Sequence, residues 1–445
     1  MPTKRTIEVR DPLHVFIKVS SEERPVFDCP AFQRLRHVHQ LALSYLVYPG
    51  ATHRRFEHSL GVMELATRIF DVVTDDENLT DKVRDFVPTH PHTRHYWRQV
   101  LRVAALCHDT GHLPFSHAAE RDLLPPGTDH ETLTEAVIRS EEMARVWKTM
   151  KLDPDDIVSL AVEPEDAGAL PPWEAILNEI ITGEVFGADR MDYLLRDSLH
   201  TGVAYGRFDH FRLIDTLRIL PPAPAGGGEG AQGSDPQLGI EIGGIQSAEA
   251  LLLARYFMFS QVYLHRIRRI YDIHLKDFLT DWLPGGRFSE DLESHLAITD
   301  NEVNAAMLSA ARDPELPGHH HAKRIVDREH FKVLYAPTAA DLRRNAAGPK
   351  QLFEAARERF GADNVRYDRY SKGGGDSVFP VLEREGTIAA SSSVSDVLGN
   401  IPVASSHYVF IAREHLQEAQ AWKAANLDEL TAARSEDDDD QEGDQ

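Results

Sequence analysis

The sequence predicts a mainly α-helical protein with a smaller α+β lobe toward its C-terminus. Apolar residues recur every three or four positions over most of residues 28–199, which is the period of an amphipathic helix. That half of the chain has neither strand–helix alternation nor a glycine-rich nucleotide motif. Short runs rich in β-branched and aromatic residues begin only beyond about residue 325. These three observations favour a helical core followed by a mixed lobe.

The helical half divides into separate elements. Asp129, or Thr128 before it, is a suitable N-cap for a helix that starts near residue 130. Gly111 is predicted to stop the helix before it, and Gly187 to separate the last two helices. Helical spacing covers residues 28–48, 58–73, 95–109 and 173–199.

The second half contains both element types. Residues 212–220 and 238–244 predict two strands of a hairpin joined by an exposed Pro/Gly-rich loop, and residues 247–283 predict a long helix pair. Further on, residues 331–335, 364–370 and 407–413 predict strands and residues 351–360 a helix. We therefore expect a helical domain with a hairpin insertion, an α+β lobe and an acidic disordered tail. Their expected bounds are 1–280 with the insertion near 212–244, 281–434, and 435–445.

Composition narrows the class of protein. The chain of 445 residues has a net charge of −23, and the last eleven residues carry seven acidic and no basic side chains, which leaves −16 for the rest. An acidic body argues against broad nucleic-acid binding. Only Cys29 and Cys107 occur, which excludes a disulfide framework and a four-cysteine zinc site. With no apolar leader and no run near the ~18 residues of a membrane span, we expect a soluble cytoplasmic protein without a membrane partner.

Four side chains indicate metal chemistry: His58, the doublet His108-Asp109, and Asp189. Each lies at or near the end of a predicted helix. Mixed imidazole and carboxylate ligands suit Mn, Fe, Zn or Ni, whereas Mg prefers oxygen alone. Neighbours in a straight helix point about 100° apart, so the adjacent pair can meet one ion only where a helix ends.

Further histidines and arginines surround these four. His53, Arg54 and Arg55 precede His58, and other histidines follow the doublet and open the next helix. Histidine transfers protons near neutral pH and arginine binds phosphate with two donors. A metal ion with both is the equipment for hydrolysing a phosphate ester.

The chain resembles the HD-domain phosphohydrolases, whose signature is H…HD…D, and in particular the deoxynucleoside triphosphate triphosphohydrolase branch. The resemblance covers about residues 5–280 in the family's order. It rests on FQRLRHVHQL (32–41), YPGATHRRFEHSLGV (48–62), CHDTGHLPFSH (107–117), DHE (129–131) and DRMDYLLRD (189–197). It implies an HD-domain helical core and a tightly held divalent cation (Mn, Fe, Zn, Ni or Mg), and leaves a second ion with the substrate open. The implied ligands are His58, His108, Asp109 and Asp189.

The resemblance also assigns roles around the metal. His117 would protonate the leaving 5′-oxygen, with Glu120 one turn further on to orient it. The remaining proton and phosphate network would consist of His112 and His130. Arg55 and Arg190 would hold the triphosphate of the substrate, and Arg266 or Arg269 would add a further phosphate contact. Gln40 and Asp197 would hold the 3′-hydroxyl. Tyr193 would pack on the sugar. The histidines interpreted as non-catalytic are His39, His53, His95 and His319–His321, the last in a loop suited to adventitious metal binding.

Two departures from the family pattern concern selectivity and regulation. Residues 42–44 are Ala-Leu-Ser where relatives with a deoxy preference have glycines, so sugar selectivity is left open. Asp28, Gln33 and Arg36 match residues that read guanine at an allosteric site, but Ile7 stands where the accompanying lysine is expected. A nucleotide activator is therefore an open alternative to a structural helix. The resemblance also implies a homo-oligomer.

The sequence thus predicts a metal-dependent hydrolase of (deoxy)nucleoside triphosphates that attacks the α-phosphorus and releases nucleoside and tripolyphosphate. Two rivals stay open. One is an HD phosphodiesterase or nucleotidase acting on a smaller or cyclic nucleotide. The other is a nucleotide-sensing or nucleic-acid-binding regulator with a vestigial site.

Overall fold

The computed structural model describes residues 6–116, 120–164, 169–222, 235–371 and 378–432. These residues form two compact units. The first contains the described residues of Met1–Met258, Leu283–Ala305 and Gly374–Pro402, and the second those of Phe259–Trp282, Ala306–Gly373 and Val403–Gln445. The chain therefore returns to the first unit twice, whereas the sequence predicted a single boundary near residue 280.

The fold is mainly helical, as predicted. No helix among the described residues combines the length and the apolarity needed to cross a bilayer. In chain order the described α-helices are α1 (Arg24–Phe27), α2 (Pro30–Arg34), α3 (Arg55–Val73), α4 (Pro91–Cys107), α5 (Glu120–Leu123), α6 (His130–Ile138), α7 (Glu141–Met150), α8 (Pro154–Ala161), α9 (Pro172–Thr182), α10 (Ala188–Thr201), α11 (His210–Thr216), α12 (Ile245–Met258), α13 (Arg266–Trp282), α14 (Leu292–Leu296), α15 (Asp300–Ala310), α16 (His319–Val326), α17 (Ala339–Arg344), α18 (Gly348–Phe360), α19 (Ser391–Val394) and α20 (Leu416–Leu430).

Strands form three small sheets. β1 and β2 make an antiparallel N-terminal hairpin, and the order β3-β4-β7-β8 forms a second sheet in the first unit. The second unit contains the antiparallel sheet β5-β9-β6. The strands are β1 (Thr6–Asp11), β2 (Val15–Ser20), β3 (Leu217–Leu220), β4 (Gln237–Glu241), β5 (Lys332–Tyr335), β6 (Val365–Ser371), β7 (Pro380–Leu382), β8 (Ile388–Ala390) and β9 (Ser405–Ile411).

Several predicted helix boundaries are confirmed. Asp129 caps α6 by accepting the backbone N–H groups of Glu131 and Thr132, and Gly187 is the N-cap of α10. Helices α3 and α4 pack against each other, and α10 packs against α3. Their packing buries most of α3. The candidate site lies at the N-terminal ends of α3 and α10 and just after the C-terminal end of α4.

Two predicted elements are wrong in part. Residues 28–48 form the short α2 and two 3-10 turns, Leu35–His37 and Ala42–Leu46, instead of one helix. Ala42 has φ 45°, a left-handed conformation that a continuous helix cannot contain. Residues 210–216 are helix α11, because the Asp209 side chain accepts the N–H of Arg212, so the predicted first hairpin strand shrinks to β3.

The hairpin itself is confirmed, since β3 and β4 pair antiparallel with Leu217 opposite Ile240. The Pro/Gly-rich stretch between them lies largely outside the described residues. The predicted long helix pair is α12 and α13, separated by a π-helical turn, Phe259–Tyr263. The histidine run predicted in a loop instead opens helix α16 after Gly318. The acidic tail lies beyond the described residues.

The second unit contains the strands and the helix that were predicted for the α+β lobe. Its three predicted strands correspond to β5, β6 and β9, and the predicted helix to α18. Apolar residues of α18, α20 and the sheet form its core, which includes Leu352, Ala356, Val409, Ile411 and Ala419.

Candidate active site

The four predicted metal ligands come from three helices and converge at one point of the first unit. His58 lies in the first turn of α3, His108 and Asp109 follow the last residue of α4, and Asp189 lies in the first turn of α10. His58 Nε2 lies 2.9 Å from Asp189 Oδ1 and 3.7 Å from Asp109 Oδ2. His108 Nε2 lies 3.5 Å from Asp109 Oδ1 and 3.7 Å from Asp189 Oδ1. Donor atoms of His58, His108 and Asp109 lie close enough together to hold one divalent cation, and Asp189 Oδ1 lies beside both imidazoles.

The orientation of His108 supports this arrangement. Its Nδ1 donates to the carbonyl oxygen of Ala105 at 2.8 Å, so Nε2 carries the lone pair. That Nε2 is buried and has no hydrogen-bond partner among the described residues. An unshared lone pair facing the carboxylates of Asp109 and Asp189 fits a cation between them.

His58 is held by a carboxylate that the sequence analysis did not single out. Its Nδ1 donates to Asp192 Oδ2 at 2.9 Å, and Arg196 donates to both oxygens of Asp192 at 2.7 and 3.0 Å. Carboxylate–histidine pairs of this kind fix the tautomer and orientation of a ligand ring. Asp192 follows Asp189 by three residues, so helical spacing places both carboxylates on one face and could have revealed the pair.

The carboxylates of Asp109, Asp189 and Asp192 surround His58 with negative charge. Burial disfavours the charged His58 ring, but its bonds to Asp189 and Asp192 outweigh burial and raise its pKa to about 10, so a cation bound at Nε2 would have to displace the proton that Asp189 accepts there. Burial also acts to raise the pKa of Asp109, yet Arg55 and the neighbouring imidazoles hold it well below its usual range. The Asp189 side chain is 32% exposed and that of His58 only 1%, so the site opens to solvent on the Asp189 side.

Gly111 lets helix α6, which begins at His130, approach the candidate site. A Cβ at Gly111 would overlap the His130 carbonyl and the backbone of Leu133 and Thr134, so only glycine permits this approach of α6. The Thr134 hydroxyl accepts the Gly111 N–H at 3.0 Å and donates to the His108 carbonyl at 3.1 Å. The predicted helix stop at Gly111 is therefore better described as a close-packing position after α4.

Two imidazoles stack beside the ligands. The rings of His112 and His130 lie 4.1 Å apart, and His112 Nε2 is 3.2 Å from Asp109 Oδ1. Glu120 accepts from His130 Nδ1 at 2.5 Å. Burial lowers the pKa of both rings, but the bond to Glu120 outweighs it for His130 and raises that pKa, while Arg55 and His130 lower the pKa of His112 further. The pair therefore combines a ring that holds its proton more tightly than usual with one that favours the neutral form.

His117, the predicted proton donor, lies outside the described residues, as does the predicted contact of Glu120 with it. The loop before it is described up to Ser116. Phe115 and Ser116 have φ 56° and 57°, which is the left-handed region and costs non-glycine residues energy. Arg55 Nε donates to Ser116 Oγ at 2.8 Å, and Arg55 Nη1 lies 2.6 Å from Asp109 Oδ2. Arg55, a predicted phosphate ligand, thus also fixes this loop against a metal ligand.

His39 is structural, as interpreted. Its backbone N–H donates to Asp300 Oδ2 at 2.8 Å and its Nδ1 to the same oxygen at 2.5 Å. Ser116 Oγ donates to the His39 carbonyl at 3.2 Å. Asp300 has no local sequence signal, because its partners are distant in the chain.

The predicted substrate residues of the first unit lie on α10 and the segment before α3. Asp197 Oδ1 accepts from His53 Nε2 at 2.7 Å, so His53 is engaged with a predicted sugar ligand. Gln40 Oε1 and Arg190 Nη1 are buried without a hydrogen-bond partner among the described residues, as groups awaiting a ligand would be. Tyr193 is partly buried, and burial raises its pKa to about 12.

The two arginines considered for a further phosphate contact belong to the second unit. Arg269 binds both oxygens of Asp368, at 2.5 and 2.9 Å, so it is committed within its own unit. Arg266 is exposed at the start of α13. Of these two alternatives, Arg266 is the arginine that stays a prediction.

Two of the three predicted allosteric residues, Gln33 and Arg36, contact each other, whereas Asp28 has a different partner. Gln33 Oε1 accepts from Arg36 Nε at 2.7 Å, and the Arg36 guanidinium lies 3.5 Å from the centre of the Phe56 ring. Asp28 instead pairs with Arg24 at 3.0 Å. Their role in nucleotide binding stays a prediction.

The histidine run takes part in a further grouping of ligand-type side chains, which lies in the second unit. His274, Asp277 and His321 come within reach of one ion. However, the Phe331 N–H donates to His274 Nε2 at 3.3 Å, which leaves the ring proton on Nδ1, and Arg366 donates to Asp277 at 3.0 Å. We therefore assign no metal site to this group.

A helical unit that gathers one histidine, a His-Asp doublet and a distant aspartate around a point defines the class of HD-domain proteins. Two family models match in succession, an HD domain over residues 55–196 and an HD-associated region over residues 208–363. A hypothetical protein of Aquifex aeolicus has a similar structure with a TM-score of 0.73 and 31% identity, covering 94% of this chain and 99% of that one. The chain belongs to the HD-domain phosphohydrolase superfamily.

Further relatives extend the comparison. An uncharacterized protein of Methanocaldococcus jannaschii is 34% identical over 336 residues, which are 75% of this chain and 60% of that protein. The deoxynucleoside triphosphate triphosphohydrolase SAMHD1 of Gallus gallus is 28% identical over 364 residues, 73% of this chain and 55% of that protein. The chain thus spans little more than half the length of these relatives. A phosphohydrolase of Bacteroides thetaiotaomicron shares the fold at 23% identity, with a TM-score of 0.68 over 92% of this chain and 100% of that one.

Proposed function

We propose that this protein is a metal-dependent hydrolase of (deoxy)nucleoside triphosphates that cleaves at the α-phosphorus and releases nucleoside and tripolyphosphate. The observation that carries the proposal is the convergence of His58, His108, Asp109 and Asp189, with His108 Nε2 unpaired among the described residues. The identity with triphosphohydrolase relatives supports the choice of substrate.

The candidate ligands are those that a divalent metal ion would require. A divalent ion, when bound, supplies Lewis-acid polarisation of a phosphoryl oxygen and activates water. The imidazole and carboxylate donors fit Mn, Fe, Zn or Ni. Asp192 keeps the His58 ring oriented toward the ion, and Ala105 does the same for His108.

The chain's own residues supply positioning and protons. Arg55 stands at the Asp109 carboxylate, and Arg190 keeps one guanidinium nitrogen unpaired among the described residues, so both can balance phosphate charge. His130, whose pKa is raised, and His112, whose pKa is lowered, would form an acid–base pair beside the candidate ligands. Gln40 and Asp197 would hold the sugar, and His117 would donate to the leaving 5′-oxygen.

The test is product identification. The protein is incubated with Mn and a panel of ribo- and deoxynucleoside triphosphates, with and without GTP, and the products are separated by ion-exchange chromatography. Tripolyphosphate together with nucleoside supports the proposal. Monophosphates, pyrophosphate or phosphate alone would favour the phosphodiesterase or nucleotidase alternative, and a nucleic-acid gel shift without hydrolysis would favour the regulator.

Variants assign the roles. His108→Ala and Asp109→Ala are expected to abolish turnover and metal binding, whereas His117→Ala is expected to retain the metal and slow the reaction. His95→Ala is the matched control, because His95 is exposed on the same helix that ends at the His-Asp doublet. Equal metal loss in the His108, Asp109 and His117 variants would contradict this division of roles.

A further inference from the structure

The N-terminal hairpin reaches the interior of the first unit. Its turn carries Asp11 and His14, which are 4% and 5% exposed, whereas Val15 and Phe16 beside them are largely exposed. Both buried residues lie outside residues 55–196, the part that matches the HD domain. A turn that buries two polar side chains requires partners for them in the interior.

Those partners are the groups that support the metal ligand His58. His14 Nε2 donates to Asp192 Oδ1 at 2.9 Å, and Asp192 Oδ2 in turn accepts from His58 Nδ1 at 2.9 Å. Asp11 Oδ2 accepts from Arg196 Nη1 at 2.9 Å, while Arg196 also binds Asp192. The hairpin thus holds both oxygens of the supporting carboxylate in place, one directly and one through Arg196.

The turn is built around these contacts. Asp11 Oδ1 accepts the backbone N–H groups of Leu13 and His14 at 2.8 and 2.9 Å, which fixes the path of the chain into the interior. Val15, the next residue, has φ 65°, a left-handed conformation that is strained for a β-branched side chain. Such strain persists only where surrounding contacts fix it, and here the contacts of His14 do so.

From this geometry we propose that His14 and Asp11 are positioning residues for the metal centre. They fix the Asp192–Arg196 pair, and through it the ring of His58, so the N-terminal hairpin and the metal site form one coupled unit. The proposal rests on the metal site of the proposed function but not on which phosphate ester is hydrolysed. Because coupling is reciprocal, metal binding must also stabilise the hairpin.

The experiment measures Mn affinity of the full chain by competition with a fluorescent chelator, without nucleotide. His14→Phe removes the donor but keeps a ring, and affinity is expected to fall about 10- to 100-fold, the range for lost outer-shell partners of metal ligands. His14→Gln can place an amide N–H near the position of Nε2 and is expected to restore most of the affinity. Phe16→Ala, an exposed neighbour in the hairpin, is the control and is expected to bind Mn as the unmodified chain does.

Unchanged Mn affinity in His14→Phe, or equal losses in His14→Phe and His14→Gln, would overturn the proposal. Should His14→Phe not fold, hydrogen exchange of the unmodified chain decides instead. Slower exchange of the β1–β2 amides on adding Mn supports the coupling, and unchanged exchange contradicts it. Failure of nucleotide hydrolysis with these affinity changes intact would refute the proposed function alone.

Discussion

Asp300 Oδ1 accepts the backbone N–H of Phe115 at 2.7 Å, although 185 residues separate them in the chain. The other oxygen of the same carboxylate accepts the N–H of His39 at 2.8 Å. Asp300 is fully buried and so joins the left-handed loop after the His-Asp doublet to the segment before α3. One carboxylate therefore fixes two irregular segments that flank the candidate site.

Replacing this carboxylate is expected to be costly. Asp300→Ala leaves two buried backbone donors without acceptors, each worth about 1–3 kcal/mol, so we expect the free energy of unfolding to fall by about 2–6 kcal/mol. Urea unfolding followed by circular dichroism measures the change. Glu302→Ala, two residues on, removes an exposed carboxylate that accepts from the neighbouring Thr299, and it serves as the control because it is expected to cost less. A loss of stability below ~0.5 kcal/mol in Asp300→Ala would contradict the role assigned to Asp300.

Gly61 gives a second prediction. A Cβ at this position would overlap the Asp192 carboxylate and approach Arg196 Nη2 to 2.5 Å. Overpacking of a filled interior costs about 1–3 kcal/mol, so Gly61→Ala is expected to lower stability by that amount and to weaken Mn binding by displacing Asp192. Ser59→Ala on the same helix is the control, because its buried hydroxyl has no hydrogen-bond partner among the described residues. Thermal unfolding with and without Mn measures both effects, and equal behaviour of the two variants would refute the argument.

The sequence predicted the helices of the candidate site because their signals are local. The apolar period of α3 and α4 and the cap at Asp129 depend on residues a few positions apart. The prediction of one helix over residues 28–48 was wrong, because the apolar spacing there suits 3-10 turns packed on a core as well as it suits a helix. Local pattern does not distinguish the two, since tertiary contacts decide the outcome.

The candidate site likewise combines residues that have a local sequence signal with residues that are defined only by tertiary contacts. The four candidate metal ligands were predicted from the His-Asp doublet at a helix end together with the family motifs around it. The supporting residues were missed, since Asp192 pairs with His58 across 134 residues and His14 with Asp192 across 178. Such partners carry no signal until the fold brings the chain segments together. Gly61 looked like an ordinary helix residue for the same reason.

Arg55 connects the loop to the metal ligand and gives a third prediction. Its planar guanidinium contacts Asp109 and Ser116 at once, which the single ammonium of lysine does not reproduce. Arg55→Lys is expected to raise KM for a nucleoside triphosphate about tenfold or more, a loss of at least ~1.4 kcal/mol, while Mn stays bound. Arg54→Lys is the control, because the Arg54 guanidinium is exposed and donates to the nearby carbonyl of Thr52 at 2.9 Å. Unchanged kinetics in Arg55→Lys would exclude Arg55 from phosphate binding.

Glu179 makes stability depend on pH. It lies on α9 beside β4 and is partly buried, and the loss of solvent raises its pKa from 4.5 to about 7 even though it accepts the Leu238 N–H at 2.9 Å. Between pH 4.5 and 7 the folded chain keeps a proton that the unfolded chain releases. The contribution of Glu179 to the free energy of unfolding is therefore present in full below pH 4.5. It is lost as pH rises through about 7, and the total loss is about 3 kcal/mol.

Glu179→Gln removes this dependence, because the amide is neutral at every pH and its oxygen can still accept from Leu238. We expect the variant to be more stable than the unmodified chain by up to about 3 kcal/mol near pH 8, with the difference shrinking toward pH 5. Urea unfolding at intervals from pH 5 to 8.5 measures it. Glu141→Gln, a fully exposed side chain, should show no such trend. A difference between unmodified and Glu179→Gln chains that stays constant with pH would show that Glu179 is ionised in the folded protein throughout this range.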